Sequence, residues 1–292
     1  MNANGLKTAL LLGGLTGVLL LLGYAIGGEA GLVMGFLFAA VMNLGAYWFS
    51  DRIALKMAGA REVPEAQAPE LHSLVANLAQ VSGLPKPRVA IIESEAPNAF
   101  ATGRNPENAL VAVTTGILKI LDRRELSAVL LHELGHVRNR DILIGAVAAT
   151  IAGAVTMIAQ MGHYTMMFGG RDDDEGGGGI LSTLLMLILA PLAAMLIQLA
   201  ISRSREFGAD DTGARLSGDP EALATALEKL EAYSKRVPLP VNPAVSHLFI
   251  VAPLTGLSVQ KLFSSHPPTA ERVARLRQLA REILAPRLGG QG

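Results

Sequence analysis

Asp122-Arg123-Arg124-Glu125-Leu126-Ser127-Ala128-Val129-Leu130-Leu131-His132-Glu133-Leu134-Gly135-His136-Val137-Arg138 carries a helix signal and a chemical signal in the same seventeen positions. Asp122 followed three residues later by Glu125 is a capping box, and Leu126, Val129 and Leu130 then recur at helical spacing. Within that helix His132 and His136 are four residues apart, so their imidazoles project from one face about a turn apart, as two ligands of one tetrahedral zinc require. Glu133 falls on the adjoining face, where its carboxylate takes a proton from water at the metal and later passes it to the leaving amine. The bland reading is a pair of surface histidines on an ordinary helix, and the rest of the chain has to decide between the two.

A catalytic zinc takes three protein ligands and keeps one position for water. The chain has no cysteine, so the third ligand has to be His, Asp or Glu, and thiolate nucleophiles and disulfides are excluded as well. Glu206 is the choice. It stands in Ser204-Arg205-Glu206-Phe207-Gly208-Ala209-Asp210, where Glu206 and Asp210 share a helical face. Glu206 would ligate, and Asp210 would orient a ligand histidine and fix its tautomer. Taken alone, this pair reads as a solvated turn neutralised by Arg203 and Arg205; the upstream histidines change its meaning. His266, in Ser265-His266-Pro267-Pro268, is either a donor to the oxyanion of the reaction or a plain helix-capping residue. Arg272 pairs either with an active-site acid or with surface neighbours. Asn98, Ala99 and Phe100 begin a segment that is either a plain loop or an edge strand binding extended peptide through its main chain. His72, His163 and His247 lack ligand-spaced partners and read as an exposed helix residue, a membrane-interface residue and a loop residue.

Half of the 292 residues are apolar, which points to lipid as part of the solvent. The formal net charge is zero, so nothing pulls the chain toward nucleic acid. Two apolar runs, from Leu6 to about Ile26 and from Gly31 to about Phe49, are separated only by the Gly28-Glu29-Ala30 region and read as a helical hairpin rather than a signal peptide. Two more, Ile142 to about Phe168 and Ile180 to about Ile201, flank an acidic, glycine-rich loop at 169–179. They read as a second hairpin, with a buried core hairpin as the alternative. Lys7, Arg52, Lys56, Arg138, Arg140, Arg203 and Arg205 flank the runs on one common side, which the positive-inside rule assigns to the cytoplasm.

Between the hairpins the spacing predicts an amphipathic helix over Pro69 to Ser82 and strands at Arg88–Ile92 and Ala109–Thr114. After them it predicts helices from Asp219-Pro220 to about Lys235 and from Thr269 to Ile283. The fold expected is α+β and mostly helical: a multi-pass membrane protein with a zincin-like catalytic domain and a small β-sheet. Its parts would be an N-terminal hairpin (1–50), a first catalytic segment (51–141), the second hairpin (142–201) and a second catalytic segment (202–292).

The motifs Pro97-Asn98-Ala99-Phe100-Ala101-Thr102-Gly103, His132 to His136, Ser202 to Asp210 and Ser265-His266-Pro267-Pro268-Thr269-Ala270-Glu271-Arg272 occur in one order along the chain. Together with the N-terminal hairpin they resemble the HtpX membrane metalloproteases of bacteria, relatives of the eukaryotic CAAX-processing zinc proteases. The resemblance implies one zinc per chain on His132, His136 and Glu206, with Glu133 catalytic. It also implies quality control in the cytoplasmic (inner) membrane, with misfolded or damaged membrane proteins as substrates. From the residues, the reaction expected is metal-assisted peptide hydrolysis close to the membrane surface, since the third apolar run begins just after His136 and the fourth ends just before Glu206. The rival is a non-proteolytic membrane scaffold with a structural zinc, His266 serving as fourth ligand; a mid-membrane metal transporter is disfavoured because His132, Glu133 and His136 lie outside the apolar runs.

Overall fold

A computed structural model describes residues 3–151, 203–239, 241–251 and 267–288. His163, His266, the acidic loop at 169–179 and most of the second apolar pair lie outside the described residues.

Helix α1 (Ala3–Ala58) is broken once, at Gly27 and Gly28. Gly28 has φ 58° and ψ −137°, a conformation that residues with a Cβ avoid. The two arms fold back on each other so closely that a side chain on Gly23 would strike the carbonyl of Gly31, and one on Gly35 the backbone of Leu19. Asn43 Nδ2 spans the same seam, donating to the Leu12 carbonyl at 3.2 Å and the Thr16 hydroxyl at 2.8 Å. The first two apolar runs therefore form a hairpin whose reversal needs only two glycines. Among the described residues, Gly27–Ala58 is the one helix long and apolar enough to cross a membrane, and Thr8–Leu21 is a shorter apolar helix. The helix does not stop with its apolar stretch at residue 50 but continues to Ala58, where Leu55 and Ala58 enter the protein core.

A four-stranded sheet follows, made of β1 (Ala60–Glu62), β2 (Arg88–Ile92), β3 (Ala99–Thr102) and β4 (Leu110–Thr114) in the order β1-β2-β4-β3. The central pair β2 and β4 is parallel, and both outer pairings are antiparallel. Both faces are covered, which explains why β4 reads as an unbroken apolar run rather than an alternation. Val89, Val111 and Val113 face α2 (Pro69–Val81) and α4 (Arg123–Arg138), while Ala90, Leu110 and Ala112 face the root of α1 together with Leu239, Val245 and Phe249. A short helix α3 (Thr115–Ile120), capped by the Thr114 hydroxyl, joins the sheet to α4.

The capping box expected for α4 is present: Glu125 N donates to Asp122 Oδ1 at 2.8 Å and Asp122 N to Glu125 Oε2 at 3.0 Å. After α4, helix α5 (Ile142–Ile151) is buried within the protein, so the opening of the third apolar run is core here. The later helices are α6 (Arg203–Ser217), α7 (Pro220–Ser234) and α8 (Thr269–Leu288). His72 is a correction to the sequence reading: it is buried in α2 with Nε2 2.9 Å from the Val63 carbonyl. His247 lies in a short 3-10 helix, Pro243–Leu248, with Nε2 3.1 Å from the Gly145 carbonyl.

Candidate metal centre

The site is built where α4 and α6 touch, and glycine sets how closely they touch. A Cβ on Gly213 would lie 2.8 Å from the backbone nitrogen of His132, and one on Gly135 would lie 3.2 Å from the Ala209 carbonyl. At that separation the face of α6 bearing Glu206 and Asp210 meets the face of α4 bearing His132 and His136. The ligating atoms of His132, His136 and Glu206 all fall within 4.8 Å of one another. His132 Nε2 is 3.8 Å from Glu206 Oε2, and His136 Nε2 is 3.5 Å from Glu206 Oε1. Tetrahedral ligands held about 2.0–2.1 Å from a zinc ion are separated by roughly 3.3 Å, so the three donors fit such an ion with small inward movement.

Each imidazole is held from behind by a carboxylate. His132 Nδ1 donates to Asp210 Oδ1 at 2.9 Å and His136 Nδ1 donates to Asp141 Oδ2 at 3.1 Å, which turns both Nε2 atoms toward Glu206. Asp210 is itself clamped by Arg272, whose Nε and Nη2 reach Oδ2 and Oδ1 at 2.8 and 2.7 Å in a bidentate pair. Arg272 is only 2% exposed. It is therefore internal, and its third contact is Nη1 to the Ile250 carbonyl at 3.2 Å.

Electrostatics mark the centre as short of positive charge. Burial raises the Glu133 carboxyl, and nearby Glu206 adds to this against the opposing pull of His136, bringing its pKa up to about 8. Burial alone would lower His136, but Glu206, Asp141 and Glu133 outweigh it and hold the ring protonated up to about pH 9. Burial, reinforced by Arg272 against the raising pull of Asp210, takes His132 down to about 4, so its Nε2 keeps a lone pair. Asp210 is opposed by burial yet held well below the usual carboxylate range by Arg272 and His132. A centre in which Glu133 and His136 hold protons more tightly than usual suits a divalent cation.

Glu133 Oε2 accepts from the main-chain nitrogen of Ala101 at 2.8 Å, tying the carboxylate to β3. Asn98, Ala99 and Phe100 lie beside it, and β3 is an outermost strand of the sheet. Their exposed-edge expectation meets a difference: that edge is partly covered by residues 249–251. Ile250 N donates to the Ala99 carbonyl at 3.0 Å, Asn98 Nδ2 to the Val251 carbonyl at 2.8 Å, and Phe100 packs edge-on against Phe249 with ring centres 5.0 Å apart. Asp141 was not singled out in the sequence. The signal was a carboxylate five residues beyond the second histidine. Arg140, at φ 59°, reverses the chain at the end of α4 and folds Asp141 back onto it, with Asp141 N bonded to the His136 carbonyl at 2.9 Å.

Known proteins can now be set beside this geometry. Residues 65–280 match peptidase family M48. A "Protease HtpX homolog" from Persephonella marina is 55% identical over 282 residues, covering 95% of this chain and 98% of that protein. Proteins of the same name from Thermodesulfovibrio yellowstonii and Pyrococcus furiosus are 56% and 52% identical, each covering at least 94% of this chain and 96% of the relative. Among solved structures, that of S. mikatae Ste24p superposes with a TM-score of 0.50 at 24% identity, over 94% of this chain and 64% of that one, a likeness of fold. The chain belongs to peptidase family M48 and is a metallopeptidase.

Proposed function

We propose that this chain is a zinc endopeptidase of a bacterial cytoplasmic membrane. Its zinc would be held by His132, His136 and Glu206, and it would cleave misfolded or damaged membrane proteins at the cytoplasmic face. The convergence of those three side chains beside the buried Glu133 carboxylate carries the reading. A zinc ion held by these three residues would supply an acidified water and a Lewis acid for the scissile carbonyl.

The protein's own groups do the rest. Glu133 accepts the proton of the attacking water and delivers it to the leaving amine, its buried carboxyl standing next to the three metal-ligand candidates. Asp141 and Asp210 keep the two imidazoles aimed, and Arg272 keeps Asp210 ionised. Substrate backbone pairs with the β3 edge from Asn98 to Phe100, which brings the scissile bond beside Glu133 and requires Ile250 to leave the Ala99 carbonyl. His266 stabilises the oxyanion. The apolar pair in α1 and the part of the second pair beyond α5 lie in the bilayer, wholly or shallowly, and the arginine-rich flanks keep the metal centre on the inner side. Substrates are then the loops and tails of neighbouring membrane proteins, a role suited to stress.

Metal analysis combined with a chelator-sensitive proteolysis assay in detergent tests the proposal. Glu133→Gln is expected to retain about one zinc per chain while kcat/KM falls on the order of 10²–10⁴-fold, the usual contribution of general acid–base catalysis. A variant that keeps both metal and wild-type activity would overturn the role given to Glu133, and a wild type that binds zinc and cleaves nothing would establish the scaffold reading instead.

A further inference from the structure

Trp48 is the chain's single tryptophan, and it stands near the end of the apolar stretch of the Gly27–Ala58 helix. From Gly31 to Trp48 the helix rises about 26 Å at 1.5 Å per residue, slightly less than the ~30 Å of a hydrocarbon core. Along this length the outward face carries exposed Met34, Phe38, Val41 and Leu44. At its end the character changes: Tyr47 and Trp48 pack edge-on with ring centres 5.5 Å apart, and the Arg52 guanidinium lies 6.0 Å from the Phe49 ring centre. Aromatic rings followed by cations are what a lipid headgroup layer favours.

A second cation reaches the same place from the catalytic domain. Arg104 lies 4.7 Å over the Trp48 ring and donates from Nη2 to Asn108 Oδ1 at 3.1 Å. Among the described residues it has no carboxylate partner. Arg104 belongs to the short turn joining β3 to β4, and that turn is stiff. Gly103 sits at φ 139° with no room for a Cβ, which would come 2.6 Å from the Asn108 carbonyl. The Asn105 side chain caps the Pro106–Asn108 turn through Asn108 N at 3.0 Å. Two residues before Gly103, Ala101 N holds the Glu133 carboxylate. A rigid path therefore joins the Trp48 ring to the carboxylate beside the metal centre.

We propose that Trp48, Arg52 and Arg104 form a docking surface for the phosphates of membrane lipids, and that Arg104 pins the β3–β4 turn at headgroup height. This rests on the reading of Gly27–Ala58 as membrane-inserted. Arg104 is a positioning residue in this scheme: its guanidinium takes a lipid phosphate on one side and the tryptophan face on the other, so the depth of Trp48 sets the height of β3 above the bilayer. Occupancy by lipid rather than free phosphate follows from the apolar face that leads directly to it.

The full chain in phosphatidylcholine/phosphatidylglycerol vesicles provides the test, with dodecyl maltoside micelles as a phosphate-free reference. Native Trp48 reports its own depth through quenching by lipids brominated at shallow or deep acyl positions. Glu107→Cys, exposed on the turn in a chain without other cysteines, carries a nitroxide whose collision rate with a water-soluble nickel chelate reports the turn's height. The expected result is stronger quenching of Trp48 by shallow than by deep bromines and a label protected from nickel in vesicles but not in micelles. Arg104→Gln should weaken that protection about fivefold, the factor corresponding to the ~1 kcal/mol that one arginine gains near an anionic surface, and Arg104→Lys should restore most of it. Inorganic phosphate added to micelles should change neither signal. Quenching of Trp48 with a label equally open to nickel in vesicles and micelles, or protection indifferent to Arg104→Gln, overturns the pinning and leaves the membrane reading intact. Absence of quenching by any brominated lipid overturns both. None of these signals depends on hydrolysis.

Discussion

His136 shows how a single side chain links the metal centre to pH. In the metal-free protein its ring keeps a proton up to about pH 9, because Glu206, Asp141 and Glu133 together outweigh the effect of burial. Metal binding needs the neutral imidazole, so that proton is released when an ion enters. Zinc affinity should therefore rise by about tenfold per pH unit through the neutral range and flatten near pH 9, which a competition titration with a chromophoric chelator would measure. The sign follows from the raised pKa; an affinity independent of pH would show that the metal-free ring is already neutral in this range. Asp141→Asn keeps the shape but loses the charge-assisted hydrogen bond to His136 Nδ1, and should cost about 10–100-fold in zinc affinity. Arg272 illustrates the other direction of reasoning. Pairing with an active-site acid was one of two readings from sequence, since nothing local says whether an arginine near a helix start faces outward or inward; the bidentate contact to Asp210 is what the fold adds.

The pairing of α4 with α6 is the element-level feature on which the ligand set depends. Gly213 lies against His132 N and Leu131 C with no space for a methyl group. Gly213→Ala should force the helices apart, lowering stability by about 1–3 kcal/mol as overpacking usually does, and weakening zinc binding in parallel. Thermal unfolding and metal titration of the same preparation would check both; unchanged values would mean the two helices slide without penalty. The other such feature is the segment 249–251 lying along β3. If substrates pair with this strand, cross-linking Ala99→Cys to Ile250→Cys by oxidation to a disulfide should abolish peptide cleavage while leaving zinc content unchanged, and the reduced double variant should stay active. Full activity after cross-linking would place the substrate elsewhere.

For the molecule as a whole, the question is how a metallopeptidase core is carried by apolar helices. The root of α1 forms part of the sheet's cover through Leu55 and Ala58, and Asp51 and Glu62 both pair with Arg88 on β2, so α1 and the core are one packed body rather than beads on a linker. With α1 in the bilayer as proposed, so rigid an attachment limits reach. In proteoliposomes a peptide tethered to the same bilayer should be cleaved at least about tenfold faster than the free peptide at equal bulk concentration, since shared attachment raises effective concentration. Dissolving the vesicles in detergent should abolish the difference, and equal rates in both settings would argue that the helices anchor without selecting substrates.

The helix bearing His132, Glu133 and His136, its cap, the packing helices α2 and α7 and both parallel strands could all be read from the chain, because capping, periodicity and the His-Glu-x-x-His spacing are local properties enforced within a few residues. Glu206 was reachable too, through its i,i+4 relation to Asp210 and the absence of cysteine. What folding alone established were contacts between distant segments. Asp141 turns back only because Arg140 adopts a positive φ, Arg272 is buried only because α8 closes over Asp210, and 249–251 meets β3 across some 150 positions of sequence. His72 and the start of the third apolar run gave the same lesson in reverse. Apolar or amphipathic spacing states that a face is hidden from water, but whether lipid or protein hides it depends on which other segment arrives there.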